Sequence, residues 1–265
     1  MDTATLIGLI MGIGAVIGGA ALEGLHLSSI LQPTAAVIVL GGTFGATFAS
    51  FPMDVAIRAF MDVRKLFSTS PKSDDLIAEL CKYAAKARKN GIIALEQDAQ
   101  THKDRFMKKA ISLSVDGVEP KDIRDLMEID LAASEEHAKM SAEFFEAAGG
   151  YAPTIGIIGA VLGLIHVMSN LEDISKLGAG IAVAFVATIY GLVTANIICL
   201  PAATKIKNRI KDDSTRKEII IAGIVAIQNG ENPRFIEERL RSYLGSHGGK
   251  GAKKGVPSDE EGGKK

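Results

Sequence analysis

The sequence predicts an all-α membrane protein: four transmembrane helices, a large helical cytoplasmic loop and a cytoplasmic C-terminal helical tail. Three observations predict it. Tyr151–Leu171 and Leu177–Thr204 contain no Asp, Glu, Lys or Arg, and each is long enough to cross a hydrocarbon core of roughly 30 Å. Leu6–Leu22 and Pro33–Phe51 are two further uncharged runs. The 30 Lys and Arg residues avoid all four: fifteen lie in 52–151, fourteen in 202–265, and Lys176 lies in the link Glu172–Lys176. An excess of Lys and Arg marks cytoplasmic segments, so both basic regions are expected on the cytoplasmic side. Arg58, Arg64, Lys65, Lys205, Lys207 and Arg209, beside the runs, carry most weight.

The chain accordingly divides into spans one and two (1–51), a cytoplasmic helical loop (52–150), spans three and four (151–204), cytoplasmic C-terminal helices (205–244) and a Gly/Lys-rich tail (245–265) expected to be disordered. Met1-Asp2-Thr3 lacks the basic start of a signal peptide, so the first run reads as a retained span. Gly8/Gly12 and Gly14/Gly18 in span one, and Gly41, Gly45 and Ala49 in span two, repeat every four residues. Such ridges let helix backbones approach closely in lipid. Pro153 opens the third span and Pro201 closes the fourth, which puts both prolines on one side of the membrane.

Within the loop, Asp54–Phe67 places Val55, Ala59, Phe60, Val63, Leu66 and Phe67 on one helical face. Asp74–Lys89 repeats the pattern and ends at Asn90-Gly91, a turn signal. Ile92–Asp104 reads as a further helix. Asp116-Gly117 is a turn, and Pro120 suits the first turn of a helix that runs on into Gly149-Gly150 and the third span. After Pro201 a basic helix, Ala202–Arg216, continues into the less polar Lys217–Gln228. Asn229-Gly230 and Asn232-Pro233 interrupt it, and Phe235–Leu244 is a final amphipathic helix.

Composition excludes more than it assigns. A net charge of −1 argues for no nucleic acid or other polyanionic partner. Cys81 and Cys199 fall in different environments and read as small packing residues. No nucleophile triad, phosphate loop or metal-ligand cluster is present, so neither an enzyme, a metal nor a cofactor is expected. Gly156-Ile157-Ile158-Gly159 has no strand before it and reads as helix packing rather than a nucleotide loop. The spans also lack the ionisable group that ion conduction through lipid needs at mid-depth. If the chain conducts, a partner helix must bring the carboxylate. Two readings are open for Thr188, near the middle of its span: a hydroxyl lining a path, or one bonded to its own helix backbone. His166 reads as an interfacial histidine or a relay. Arg88-Lys89 before the turn and Glu96 after it read as a solvated face or as a partner site steered by charge.

Taken together, Pro33–Thr43, Arg88–Glu96, Asp116-Gly117, Ala152–Leu164, Ala187–Gly191 with Ala195-Asn196 and Pro201, and Gly230–Pro233 resemble the flagellar motor stator A-subunits of the MotA/PomA type, within the MotA/TolQ/ExbB proton channel group. The resemblance runs to about Leu244. It implies a multi-pass protein of the bacterial inner membrane with both termini cytoplasmic, and a pentamer around a pair of MotB-type B-subunits. Each B-subunit carries the membrane aspartate absent here, and the loop meets the rotor protein FliG. By the same resemblance Arg88, Lys89 and Glu96 contact the rotor, Thr188 faces the channel, and Pro153 and Pro201 couple ion binding to the loop. Sodium-type relatives resemble one another in a threonine at the step occupied here by Gly159-Ala160. Alanine offers a desolvated sodium ion no oxygen, so H+ rather than Na+ is expected. Two alternatives stand beside this one: a TolQ/ExbB-like energiser of an envelope-spanning partner, and a non-conducting scaffold.

Overall fold

Four helices of the computed structural model are long and apolar enough to cross a membrane. The structure describes residues 3–25, 30–66, 73–169 and 174–244, and every regular element among them is helical. The Gly/Lys-rich tail, Phe67, and Glu172-Asp173 of the link lie outside the described residues. Helix α1 is Thr3–Leu22 and α2 is Pro33–Ser50, the latter with a π-helical stretch at Val37–Gly41. Helices α3 (Met53–Leu66), α4 (Ser73–Asn90), α5 (Glu96–Thr101) and α6 (Arg105–Val115) follow. Helix α7 runs 49 residues from Pro120 to Met168. Helix α8 starts at Ile174, passes through a π-helical stretch at Thr194–Cys199 and continues as Leu200–Gln228. Helix α9 is Pro233–Ser242.

The boundaries differ from expectation where backbone chemistry intervenes. Span two ends at Ser50 because Phe51 is extended (φ −130°, ψ 148°), as a residue preceding proline prefers. Pro153 sits inside α7, and α8 continues past Pro201, so neither proline bounds its helix. The single helix expected at 92–104 is a 3-10 turn (Ile92–Leu95) followed by the short α5. His102 is extended, and Asp104 caps a helix that periodicity did not reveal: its carboxylate accepts from the N–H groups of Phe106 and Met107. The last helix begins two residues earlier than expected because Asn232 caps it and Pro233 takes the first position. Gly91, Gly117 and Gly230 adopt φ of +82°, +78° and +70°, which explains the breaks read at those dipeptides.

The chain forms two compact units that cut across the five expected segments. One comprises Met1–Pro71 with Ile129–Ser214, the other Lys72–Glu128 with Thr215–Lys265. Parts of the 52–150 stretch therefore fold with the apolar helices.

In the first unit Phe144 is fully buried, and the rings of Phe48, Phe51, Phe60 and Phe145 stand 5.4 to 5.9 Å from its own. Ala56, Ala59, Ala142, Ala148, Cys199, Ala203 and Ile206 complete that core. Each ring pair in such geometry adds about 0.5–1.5 kcal/mol beyond area burial. A second cluster joins Ala35 and Val39 of α2 to Val186 and Ala187 of α8. Beside it the Tyr190 hydroxyl donates to the Ile30 carbonyl (2.8 Å) and accepts from the Gln32 N–H.

The second unit is built on the end of α8. Nine consecutive residues, 219–227, are buried, so this segment is apolar on every side and lies at the centre of its unit. Leu80 of α4 packs directly on Gly223. Met107, Ile111, Ile123, Met127, Ile236 and Leu240 are buried with it.

Candidate functional site

The third and fourth spans meet backbone to backbone. A Cβ added to Gly156 would stand 3.0 Å from the Ala187 carbonyl oxygen, one on Gly163 2.8 Å from the Ala184 nitrogen, and one on Gly191 2.5 Å from the Ala152 carbonyl oxygen. Only glycine allows that approach, so Gly156 to Gly159 is a helix-packing surface. At the far end the His166 ring reaches Gly180.

Thr188 lies on this seam, its Cα 3.5 Å from where a Gly156 Cβ would stand. Its hydroxyl is half-buried and donates to the Ala184 carbonyl at 3.3 Å. The backbone-bonded geometry is thus the one adopted, and the oxygen keeps its capacity to accept. Ala160, half-buried, follows Gly156 by one turn on α7. Pro153 is half-buried one residue beyond Ala152, and Pro201 is exposed two residues beyond the π-helical stretch of α8. A proline has no N–H for the ladder and crowds the carbonyl four residues back. A π turn just before it loosens that crowding, and such turns concentrate at functional sites. Neither π stretch carries a periodic signature, so sequence reading missed both.

In the second unit, Arg88 and Lys89 occupy the last turn of α4, and Glu96 opens α5. All three are exposed, and the Gly91 turn and the 3-10 turn connect them. Neither Arg88 nor Lys89 has a salt-bridge partner among the described residues, whereas Glu96 accepts from Gln100. The segment is held from behind. Lys86 reaches Asp98 at 2.5 Å, and Leu95 and Ala99 are buried. Further back Tyr83 donates to Glu79 at 2.7 Å, and the His102 ring lies 3.2 Å from the same carboxylate. Burial, and then the Glu79 carboxylate, push the Tyr83 phenol above its ordinary value. Burial likewise raises the Cys81 thiol, whose Sγ lies near the Pro233 carbonyl. Sequence reading found the three exposed charges but not the Lys86–Asp98 brace, whose partners stand twelve residues apart and share no helix face.

The profile of the motility protein A N-terminal region matches residues 6–91, and that of the MotA/TolQ/ExbB proton channel family matches residues 98–219. Motility protein A of Bacillus subtilis is 35% identical over 246 residues, 92% of this chain and 91% of its own. The chain belongs to the MotA/PomA family. Chemotaxis protein PomA of Vibrio alginolyticus is likewise 35% identical, over 92% of this chain and 96% of its own. The solved structure of C. jejuni MotAB superposes with a TM-score of 0.88 at 30% identity, covering 93% of this chain and 97% of the matched one. This MotA-type chain is therefore a flagellar motor stator subunit of the proton-channel family, a membrane protein of a channel family rather than of an enzyme family.

Proposed function

We propose that this A-subunit acts with MotB-type B-subunits, whose membrane helix supplies the ion-carrying aspartate, and that the conducted ion is H+. One observation carries the reading: Thr3–Leu22, Pro33–Ser50 and both later spans hold no Asp, Glu, Lys or Arg, although α7 and α8 form a tight pair with a hydroxyl on its seam. A channel built that way needs a carboxylate from another chain. The similarity to a MotAB complex supports such a partner. The absence of a hydroxyl at Ala160 supports protons over sodium. Five A-subunits around two B-subunits, in the bacterial inner membrane with both termini cytoplasmic, follow the family pattern.

In this reading Thr188 lines the path, and protonation of the aspartate removes a charge and changes the preferred helix packing. Pro153 and Pro201 lie on α7 and α8, the two helices that contribute residues to both units, and couple that change to the loop. Arg88, Lys89 and Glu96 then act on FliG by charge complementarity.

The test co-expresses this chain with a candidate B-subunit in cells lacking their own stator. Swimming speed is followed against external sodium at fixed pH, then after a protonophore. Indifference to sodium and collapse with the protonophore are expected. Speed that tracks sodium overturns the choice of ion, and no swimming with a stable complex overturns the torque reading.

A further inference from the structure

Asn196 is the one carboxamide inside the described residues of the four apolar spans, and it is exposed on the bundle. Its neighbours in α8 turn elsewhere. Ala195 is buried, Ile197 packs on Gly12 of α1, and Cys199 joins the aromatic core. One N–H of Asn196 donates to the Leu192 carbonyl at 3.0 Å. Its second N–H and its carbonyl oxygen have no partner among the described residues. The exposed hydroxyls of the same spans differ: Thr154, Ser169 and Thr204 each place their only donor on their own helix, as Thr188 does. In hydrocarbon, an amide left with an unmet donor and acceptor is strongly unfavourable, because nothing there replaces the hydrogen bonds of water. This surface therefore meets water or a polar group, not lipid tails.

Thr188, Leu192, Asn196 and Leu200 recur every four residues, and the last three are exposed. In a plain α-helix such a row drifts around the axis. The π-helical stretch Thr194–Cys199 holds more residues per turn and reduces the drift, so Thr188 and Asn196 share one side of α8.

We infer that Asn196 lines the half of the ion path nearer Lys205, its free carbonyl oxygen and N–H holding water that carries the proton onward from the B-subunit carboxylate. This rests on the reading of Thr188 as a path residue. An amide suits the task because its carbonyl accepts from hydronium or a protonated donor and its N–H donates to water oxygen, while it never binds the proton itself at neutral pH. No bond other than hydrogen bonds to water is made or broken.

The experiment uses the full chain co-expressed with its B-subunit. It measures proton uptake into inverted membrane vesicles per complex recovered by pull-down, for Asn196→Leu, Asn196→Gln, Asn196→Ala and Thr188→Ala. Asn196→Leu, similar in size but apolar, is expected to lower uptake about fivefold or more with complex yield unchanged, and Asn196→Gln to keep most of it. Normal uptake in Asn196→Leu while Thr188→Ala is impaired overturns the inference alone. Normal uptake in both overturns the underlying path as well. If Asn196→Leu prevents assembly, Asn196→Ala decides, and unchanged uptake per complex again overturns the inference.

Discussion

Lys86 Nζ lies 2.5 Å from Asp98 Oδ2, so one ion pair joins the end of α4 to α5 across the turn that presents Arg88, Lys89 and Glu96. Both partners are partly exposed, and such pairs contribute only about 0.2–1 kcal/mol. The pair fixes geometry more than it stabilises. Lys86→Asp or Asp98→Lys alone is expected to slow swimming while the protein still accumulates. The combined charge swap is expected to recover most of the speed. Equal slowing in all three would show that the charges act outwardly instead.

Arg88 and Glu96 make no contact that the fold depends on. Arg88→Ala with Glu96→Ala is expected to abolish or strongly reduce torque, with stability shifted by no more than about 0.5 kcal/mol. Swimming speed, membrane insertion and thermal melting of the purified complex check it. Unaltered swimming would remove the rotor role from this turn.

Much of this arrangement was legible in the sequence because charge and glycine mark it. Uncharged runs announced the spans, positive-φ glycines announced the turns, and Arg88, Lys89 and Glu96 were found because exposed charge beside a turn is a local signal. The α6 helix was missed because its start depends on the Asp104 cap rather than on periodicity. The burial of 219–227 was missed because an apolar stretch says that it is covered but not by what. The π stretches carry no periodic signature, and the partners of the Lys86–Asp98 brace stand twelve residues apart on no shared helix face.

The seam between α7 and α8 tolerates no added atoms. Gly163→Ala would drive a methyl to 2.8 Å from the Ala184 nitrogen, and overpacking of this kind costs about 1–3 kcal/mol. Lower complex yield in membranes is expected. Gly150→Ala, with open space at its Cβ, is expected to raise stability by about 0.5–1 kcal/mol through its helix position. Thermal unfolding of the two variants distinguishes them.

The Tyr83 phenol is held above its ordinary value by burial and by Glu79. Its contribution is therefore complete below the unfolded tyrosine value of about 10 and is lost as pH rises through the higher folded value. Tyr83→Phe forfeits the hydrogen bond, about 1 kcal/mol near neutral pH, and is expected to flatten the alkaline loss of stability. Melting of wild type and variant from pH 8 upward should converge, and parallel curves would contradict the assignment.

Four rings surround Phe144, contributed by α2, by Phe51 just after it, by α3 and by α7 itself. Groups in mutual contact do not respond to substitution independently, and their effects fail to add. The five phenylalanines of this cluster thus form one unit of inheritance. A change in any ring alters which residues are acceptable at the others, so these positions are expected to drift together across lineages, while the exposed charges beside Gly91 remain free to change one at a time with their partner.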